Sequence, residues 1–345
     1  MVLEIMKPRN PSILVRMAIA ALALAASGSL WACERRNHEP AGPIEKATIA
    51  YSATHHAILA EVAQVKDYFK KEGLQILPHL HAYGKPALQD MMEGTADFAT
   101  VAETPVMFAI LDGAEIAIIA TIHKANKDNN AIVAIKDKGI LAPPDLKGKK
   151  IATTLGTVSE FFLDAFLAIN SISKKDVTLV NLRQEELPQA LAEGSIDAAA
   201  GFNPYLAVAQ RRLGERGTTF YNKNIYTQTF IIVSTKKFVR HYPGKVEKVL
   251  RALDRAEKFV KQNPEEALKI VADFNREKIT ATREMLAETS IGLSLDQSLI
   301  FALEDESRWA IKGGLTSATK VPNYLDYIYL DGLKSVKPAA IGILK

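Results

Sequence analysis

Apolar and polar positions along the chain form a repeating order that predicts alternating strands and helices. Short runs rich in apolar residues, Ala47 to Tyr51 and Lys150 to Thr153, have the length of buried strands. Each is followed by a polar loop and an amphipathic segment, near residues 57–70 and 159–169. Strands that alternate with helices pair in mostly parallel sheets, because each helix carries the chain back across the sheet. The pattern therefore predicts an α/β fold.

One part of this pattern occurs twice, one hundred residues apart. Glu93-Gly94 is followed by Asp97, and Glu193-Gly194 is followed by Asp197 in the same register. Both copies are typical of a helix that ends at glycine, a short apolar strand and a new helix. We interpret them as two related lobes, each a mostly parallel sheet flanked by helices, with a ligand cleft between the lobes.

The predicted boundaries divide the chain into two lobes and two crossovers. Lobe 1 takes residues 45–122 and 234–345, and lobe 2 takes residues 132–222. Segments 123–131 and 223–233 are expected to be the hinge crossovers. The last part of lobe 1 is predicted to be helical, because its apolar residues fall on single helical faces.

The first 32 residues predict an export signal. A basic start is followed by the apolar run from Met17 to Ala26 and by small residues. The run is too short to span a bilayer. It leads to Cys33, the single cysteine of the chain, and this arrangement resembles a bacterial lipobox. We expect Cys33 to be lipidated and residues 33–44 to form a tether; the alternative is an ordinary cleaved signal.

Net charge and hydropathy restrict the classes of partner that this protein is expected to bind. The net charge of +4 becomes +2 once residues 1–32 are removed, so nucleic acid is not an expected partner. No apolar run after Cys33 approaches the length of a membrane span. Contact with a membrane is therefore expected only through the N-terminus, and we expect a monomer.

Four loops are candidates for the ligand site. In open α/β sheets, ligands bind beyond the carboxyl ends of the strands, and loops 52–56, 102–105, 155–159 and 201–205 follow predicted strands. Each loop precedes a helix, with Thr104-Pro105, Asn203-Pro204 and Thr157 to Glu160 typical of helix caps. The N-terminus of a helix favours anions, because its backbone N–H groups are free and the helix dipole is positive there. We expect the four to converge on a cleft for a small ligand with an oxyanion group.

The candidate ligand-binding residues come from these loops. They are Ser52, Thr54, His55, Glu103, Thr104, Gly156, Thr157, Ser159, Phe202, Asn203 and Tyr205. The hydroxyl side chains are expected to donate hydrogen bonds to an oxyanion. Glu103 is expected to hold an ammonium group, with a helix-dipole carboxylate as the alternative. Phe202 and Tyr205 are expected to form an apolar wall, and plain core packing is the alternative for Phe202.

Several motifs carry a family resemblance. They are Tyr68 to Leu74, Gly94 to Phe98, Asp145 to Ile151, Gly156-Thr157, Gly194 to Ala198, Asn203 to Tyr205 and the closing segment from Tyr324 to Pro338. Together they resemble the nitrate, sulfonate and taurine solute-binding family of ABC importers, which also includes binders of thiamine-precursor pyrimidines. Phe202 stands where many relatives have Trp, and Asn203 where they often have an acid. These differences concern the ligand and not the fold.

The resemblance implies a function. It implies a two-lobed protein of the periplasmic-binding-protein type that closes on a small solute and delivers it to an ABC permease, without cofactor or catalysis. The solute would be of sulfonate, taurine or nitrate type, or alternatively a thiamine-precursor pyrimidine or other small aromatic molecule. With the export signal, it implies a membrane-anchored lipoprotein that faces the periplasm or the cell exterior.

Other classes of protein fit the sequence less well. An enzyme of pyrimidine synthesis is the main alternative, but those relatives need a cysteine-rich motif that this chain lacks. Dinucleotide, phosphate-loop and nucleophile-elbow motifs are also missing from the sequence. The pairs His55-His56 and His79 with His81 each supply two ligands, fewer than a metal site needs, so no metal is predicted. A transcription regulator would need a DNA-binding module.

Overall fold

The computed structural model describes residues 43–125, 129–221, 227–287 and 289–343. The predicted signal in residues 1–32 and the lipidation site Cys33 lie outside the described residues. The strands in the described part are β1 (Glu45–Ser52), β2 (Leu74–His81), β3 (Phe98–Ala102), β4 (Ile116–Lys124), β5 (Asn130–Ile135), β6 (Lys150–Thr153), β7 (Thr178–Asn181), β8 (Ala198–Phe202), β9 (Gly217–Tyr221), β10 (Thr229–Thr235), β11 (Ser290–Asp296) and β12 (Ile341–Gly342).

Helices lie between most of these strands. They are α1 (Ile58–Val65), α2 (Tyr68–Lys71), α3 (Gly84–Met92), α4 (Glu103–Leu111), α5 (Val158–Ile169), α6 (Leu187–Glu193), α7 (Tyr205–Leu213), α8 (Lys236–His241), α9 (Pro243–Gln262), α10 (Pro264–Asn275), α11 (Ile279–Leu286), α12 (Gln297–Lys312) and α13 (Leu330–Val336). Among the described residues, no helix combines the length and the apolarity that crossing a membrane requires.

Two β-sheets define the two lobes. The strand order is β12-β11-β4-β10-β3-β1-β2 in the seven-stranded sheet of lobe 1 and β7-β6-β8-β5-β9 in the five-stranded sheet of lobe 2. The two-lobed α/β prediction is confirmed. Lobe 2 is one continuous segment of the chain, whereas lobe 1 is built from the segments on either side of it.

The sequence repeat has the same structural role in both lobes. The carboxylate of Asp97 accepts the backbone N–H of Thr48 in β1 at 2.9 Å, and the carboxylate of Asp197 accepts that of Lys150 in β6 at 2.9 Å. The glycine three residues before each aspartate has a positive φ, 81° and 69° respectively, where the preceding helix ends. Each aspartate therefore joins an earlier strand of its lobe, β1 or β6, to the parallel strand that follows the glycine, β3 or β8.

The sheets are mixed, which corrects the expectation of mostly parallel sheets. β1 pairs in parallel with β2 and β3, and β6 pairs in parallel with β7 and β8. In contrast, β10 lies antiparallel between β3 and β4, and β5 lies antiparallel between β8 and β9. The reason is that β5 and β10 enter their sheets directly from the other lobe and not through a crossover helix.

The strand bounds make the crossovers shorter than the predicted segments. β4 and β10 include residues at the edges of segments 123–131 and 223–233. The two crossovers lie side by side, since the N–H of Ala125 donates to the carbonyl of Gln228 at 2.9 Å. Residues 126–128 and 222–226 are outside the described part of the chain. The lobes are thus joined through neighbouring segments, the arrangement of a hinge.

Each lobe has its own apolar core. In lobe 1 the long helix α9 buries one face, which includes Val246, Val249 and Leu253, and these side chains pack in the same cluster as Ile118 of β4. Burial of each such side chain contributes about 1.5–3 kcal/mol to folding. The predicted packing of the C-terminal helices on lobe 1 follows from this stripe. The cores hold the sheets rigid, so the loops at their edges keep fixed positions.

Candidate ligand-binding cleft

A cavity lies where loops of the two lobes meet, and about 330 Å³ of empty space, part of it open to solvent, surrounds it. Its walls are formed by Ser52, Thr54, His56, Tyr83, Gly84, Lys85, Ala102, Pro105, Thr157, Val158, Phe202, Gln228 and Phe230. All four loops predicted from the sequence contribute to these walls. Ser52, Thr54, Thr157 and Phe202 are the predicted ligand-binding residues that line the cavity.

A chain of hydrogen bonds runs from the cavity wall to the hinge. The amide nitrogen of Asn129 donates to Oε1 of Gln228 at 2.7 Å, so Oδ1 of Asn129 accepts from Nε2 of His56 at 3.2 Å. A neutral His56 then accepts at Nδ1 from the hydroxyl of Thr54 at 3.2 Å, and Thr54 accepts from Ser52 at 3.1 Å. The hydroxyl protons of both residues are therefore engaged inside the protein.

Three buried histidines stand behind this wall. The ring of His56 stacks on Phe230 with centroids 3.8 Å apart and planes within 8°, and lies 3.8 Å from His55 and 5.1 Å from His123. Burial lowers the pKa of His55 to about 3, helped by the charge at His123, and burial alone lowers the pKa of His123 to about 3. Burial and both neighbours lower the pKa of His56 as well. The cluster is neutral at pH 7 and gives the cavity no positive charge.

Positive charge reaches the cavity from Lys85, the second residue of helix α3. Its ammonium crosses from lobe 1 to lobe 2 and donates to the carbonyl of Leu155 at 2.7 Å. The stem of the side chain is exposed, but desolvation lowers the pKa of its ammonium between the lobes. Gly156, which has a φ of +69°, leaves room for it, since a Cβ there would lie 2.7 Å from Nζ.

Helix α5 points its N-terminus at the same region. Thr157 is its N-cap and accepts the N–H of Ser159 at 3.3 Å, as predicted. The predicted capping box is altered, because the carboxylate of Glu160 accepts the N–H of Gly156 at 2.8 Å and not that of Thr157. The hydroxyl of Thr157 donates to the carbonyl of Thr154 at 2.7 Å, so its proton is also used within the protein.

Some predicted residues lie beside the cavity without lining it. Glu103 is fully buried, and its Oε1 accepts the backbone N–H of Thr229 at 2.8 Å. Thr104 donates to Oε1 of Glu306 at 3.0 Å, and Ser159 accepts from the side chain of Gln184 at 2.9 Å. The ligand contacts expected of Glu103, Thr104 and Ser159 stay predictions, as does that of His55.

Two predicted helix caps are wrong. Helix α4 begins at Glu103 with Ala102 as its N-cap, so Thr104-Pro105 lies inside the first turn. Helix α7 begins at Tyr205, after a cis peptide bond between Asn203 and Pro204. In both cases the helix boundary is set by where the preceding strand ends, which the cap residues alone do not reveal.

The second lobe closes on the first through three further contacts. The hydroxyl of Tyr205 donates to the carbonyl of Ala82 at 2.7 Å. Trp309 of α12 donates from Nε1 to Oδ2 of Asp164 in α5 at 3.1 Å, and its ring lies 5.1 Å from that of Phe161. These contacts join opposite lobes, so the two lobes touch each other in the described structure.

The other histidine pair is engaged elsewhere. His79 and His81 share a face of β2, as predicted, and both contact Oδ2 of Asp90, at 2.8 Å and 3.1 Å. Within the described residues, no group of three or more histidine, cysteine or acidic side chains is arranged to hold a metal ion.

Similarity to known proteins places this geometry in a family. The sequence model described as NMT1/THI5 like matches residues 53–267. The chain belongs to the NMT1/THI5-like family. The match begins at the loop after β1 and ends in α10, so it includes every residue that lines the cavity except Ser52.

Relatives within the NMT1/THI5-like family differ in what they are named for. A Bacillus subtilis (strain 168) protein named for aliphatic sulfonate binding is 28% identical over 218 residues, which are 63% of this chain and 65% of that protein. A Saccharomyces cerevisiae protein named 4-amino-5-hydroxymethyl-2-methylpyrimidine phosphate synthase THI13 is 24% identical over 65% of this chain and 69% of its own.

A solved structure supports the fold. The crystal structure of the periplasmic aliphatic sulphonate binding protein SsuA from Escherichia coli matches with a TM-score of 0.69. The match covers 83% of this chain and 98% of that chain, at 17% sequence identity. This NMT1/THI5-like chain therefore has the fold of periplasmic binding proteins.

The four predicted loops contain eight of the thirteen residues that line the cavity, and the other five, Tyr83, Gly84, Lys85, Gln228 and Phe230, were missed. Tyr83 and Lys85 follow the carboxyl end of β2, so the rule that selected the other four loops also applied to this one. Gln228 and Phe230 lie at the amino end of β10. They reach the cleft only because β10 runs antiparallel, and nothing in the sequence signals that direction.

Proposed function

We propose that this protein is the solute-binding component of an ABC importer. It captures a small oxyanion-bearing solute of sulfonate, taurine or nitrate type between its lobes and delivers it to a membrane permease. The observation that carries the proposal is the ammonium of Lys85 beside the N-terminus of α5, at a cavity with walls from both lobes. A solute that contacts both lobes favours the closed state over the open one.

The anion would be held by Lys85 and by the first turn of α5. Because the protons of Ser52, Thr54 and Thr157 are engaged inside the protein, the hydroxyls are weaker donors than the sequence suggested. In the described structure Lys85 donates to a neutral carbonyl. Exchange of that carbonyl for an anion makes a charge-assisted hydrogen bond, which is about twice as strong. An adjacent anion also favours the charged ammonium.

A second candidate solute is a small aromatic ring such as a thiamine-precursor pyrimidine. The observation in its favour is the aromatic character of the walls, where Tyr83, Phe202 and the stacked pair of His56 and Phe230 all line the cavity. Offset and edge contacts with such rings contribute about 0.5–1.5 kcal/mol each. Both nitrogens of the neutral His56 already bond Thr54 and Asn129, so this residue offers its uncharged ring and not a hydrogen bond.

Calorimetric titration distinguishes the two candidates. The ligands are methanesulfonate, taurine, nitrate and 4-amino-5-hydroxymethyl-2-methylpyrimidine. We expect binding of at least one anion, and we expect Lys85→Met to weaken it about tenfold, the value of one charged hydrogen bond. The same substitution should leave the affinity for the neutral pyrimidine unchanged.

Lys245→Met is the matched control, because Lys245 also donates to a backbone carbonyl, that of Lys46, at 2.9 Å, and lies outside the cavity. It should change neither affinity. Binding of the pyrimidine without any anion would favour the second candidate, and binding of none of the four would contradict both.

We also propose that the solute leaves the protein unchanged. The support is the family relationship to a protein named for sulfonate binding. The test is to incubate each bound solute with the protein and to separate the products by chromatography. Recovery of unaltered solute is expected, and saturable conversion would contradict the proposal and support an enzyme.

Export and anchoring remain part of the proposal. We propose a monomer that is exported and is anchored by a lipid on Cys33, facing the periplasm or the cell exterior. The support is the order of basic, apolar and small residues before Cys33. The intact mass of protein extracted from membranes tests it, and an unmodified Cys33 or a different N-terminus would contradict it.

A further inference from the structure

His56 lines the cavity and has an oxygen atom within reach of each of its ring nitrogens. Nε2 lies 3.2 Å from Oδ1 of Asn129, and Nδ1 lies 3.2 Å from the hydroxyl oxygen of Thr54. The amide oxygen of Asn129 only accepts hydrogen bonds, whereas a hydroxyl oxygen accepts as well as donates. Both nitrogens of a doubly protonated imidazolium are donors. The ring of His56 can therefore gain a proton and keep both of its hydrogen bonds.

The other two histidines of the cluster are not prepared in this way. Both ring nitrogens of His55 and both of His123 are buried without a hydrogen-bond partner in the described structure. A proton added to either ring would create a buried charge whose N–H groups have no acceptor, and such a charge is costly. His56 is therefore the member of the cluster at which a proton is best accommodated.

The surroundings of His56 supply no negative charge for a protonated ring. The titratable groups that face the ring or share its cavity wall are His55, His123, Lys85 and Tyr83. Burial raises the pKa of the Tyr83 phenol, so that group stays neutral. No carboxylate lines the cavity among the described residues, and the buried carboxylate of Glu103 accepts the N–H of Thr229 in β10. A bound anion would bring the counter-charge that the wall does not provide.

We propose that the cleft captures an anionic solute together with one proton, and that His56 carries this proton. The inference rests on the proposed function and adds a coupled ion to it. The proton comes from solvent and binds at Nδ1, which the neutral ring uses as an acceptor. In a poorly solvated site the anion and the imidazolium attract each other far more strongly than in water. Each therefore favours the binding of the other.

The added proton also reverses hydrogen bonds in the cavity wall. With a neutral ring, Ser52 donates to Thr54, and Thr54 donates to His56. A protonated Nδ1 donates to Thr54, so the hydroxyl proton of Thr54 is released. Thr54 then donates to the solute, or to Ser52, whose own proton becomes free. In both cases one hydroxyl group that lines the cavity gains a proton to donate to an oxyanion.

Calorimetric titration of nitrate and methanesulfonate into the full protein, between about pH 5 and 8, tests this coupling. Both are anions of strong acids, so their charge stays constant over this range. Each titration is repeated in buffers of different ionisation enthalpy, because the difference in heat measures the protons that are taken up. We expect uptake of up to about one proton per anion, with an affinity that rises up to about tenfold per unit fall in pH.

His56→Gln removes the titrating ring and keeps an amide that can donate to Asn129. It should abolish the proton uptake and make the affinity for nitrate independent of pH. His123→Leu is the matched control, because it removes a second buried ring of the same cluster, 5.1 Å from that of His56. The His123→Leu protein should take up protons like the parent.

The possible outcomes separate this inference from the proposed function. Binding of an anion to the parent protein without proton uptake would contradict the coupling and leave the proposed function standing. Uptake that persists in the His56→Gln protein and is lost in the Lys85→Met or His123→Leu protein would place the proton on another residue and contradict the role of His56. Failure of both anions to bind at every pH would contradict the inference and the proposed function together.

Discussion

The buried histidines show how single residues set the pH response of the cleft. His55, His56 and His123 stay neutral because burial penalises their charged forms, and their folded pKa values lie below the ordinary value of 6.5. As the pH falls below 6.5, the unfolded chain binds protons that the folded chain excludes. The contribution of these histidines to the free energy of unfolding is therefore complete above about pH 6.5. It is lost progressively as the pH falls towards 3.

We predict that His123→Leu makes the protein less sensitive to acid. Both ring nitrogens of His123 are buried without a hydrogen-bond partner in the described structure, so leucine removes a titrating group and loses no bond there. Each such histidine contributes a loss of up to about 1.4 kcal/mol per pH unit, and the slope of stability between pH 6 and 4 should fall by that amount. Denaturant unfolding at several pH values measures it.

His241→Leu is the control for this series. His241 is exposed and its Nδ1 contacts the carbonyl of Lys237 at 2.7 Å, so its removal should leave the slope near that of the parent protein. Equal slopes for the parent and the His123→Leu protein would show that the buried cluster does not control acid stability.

At the scale of elements, the cleft depends on the N-termini of helices. Two helices, α5 and α8, are each capped by a threonine side chain. Thr157 caps α5 at the cavity, and Thr235 caps α8 in lobe 1 by accepting the N–H of Phe238 at 3.0 Å. Thr235 lies outside the cavity wall. The pair therefore separates the contribution of a cap to stability from its contribution to binding.

We predict that Thr157→Val and Thr235→Val each lower the free energy of unfolding by about 1 kcal/mol, since each leaves a helix N–H without its acceptor. Only Thr157→Val should also weaken the binding of an anion, because it disturbs the first turn of α5. Thermal unfolding and calorimetric titration measure the two effects. Equal loss of affinity in both proteins would mean that binding responds to general stability and not to α5.

The elements predicted correctly from the sequence are those with a local cause. The glycine stops were visible because a helix end is a local feature, and the aspartates at 97 and 197 because they stand at the same place in a repeat. Their bonds to Thr48 and Lys150 were not predicted, because those partners are 49 and 47 residues away. Thr157 was visible because a cap is a contact over two residues. Lys85 was missed because its partner, Leu155, is 70 residues away in the other lobe. Contacts between lobes depend on how the sheets are placed, and sequence patterns carry no such information.

The whole molecule works by the approach of its two lobes. Trp309 lies at their contact, where it bonds Asp164 and packs beside Phe161. The chain has one other tryptophan, Trp31, which lies outside the described residues. Opening of the cleft separates Trp309 from both partners, so its surroundings report the distance between the lobes.

We predict that saturation with a bound solute changes the fluorescence of the protein, because closure shifts Trp309 from water to the contact with α5. Trp309→Phe should abolish the change. The affinity of the Trp309→Phe protein for the solute, measured by calorimetry, should stay within about threefold of the parent's affinity. This is the change expected from the loss of one hydrogen bond. A fluorescence change that persists in the Trp309→Phe protein would show that the signal does not come from Trp309 and would contradict this prediction.

At the scale of the whole molecule, the sequence predicted the two lobes and their order along the chain. It did not predict the direction in which β5 and β10, the strands that follow the crossovers, run in their sheets. Strand β10 begins inside segment 223–233, which was predicted to be a hinge crossover. Its antiparallel place between β3 and β4 was not visible, because burial on both faces leaves no alternation of side chains from which a direction follows. Gln228 and Phe230 were missed for the same reason.

The central position of β10 also has a consequence for biosynthesis. A ribosome completes all of lobe 2 before β10 emerges, so the nascent larger sheet has a gap between β3 and β4 while the chain from the end of β4 to the start of β10 is made. Unpaired strand edges of this kind are sites of aggregation. The newly made chain is therefore most vulnerable in the middle of its synthesis, while the strands of its smaller lobe are being made.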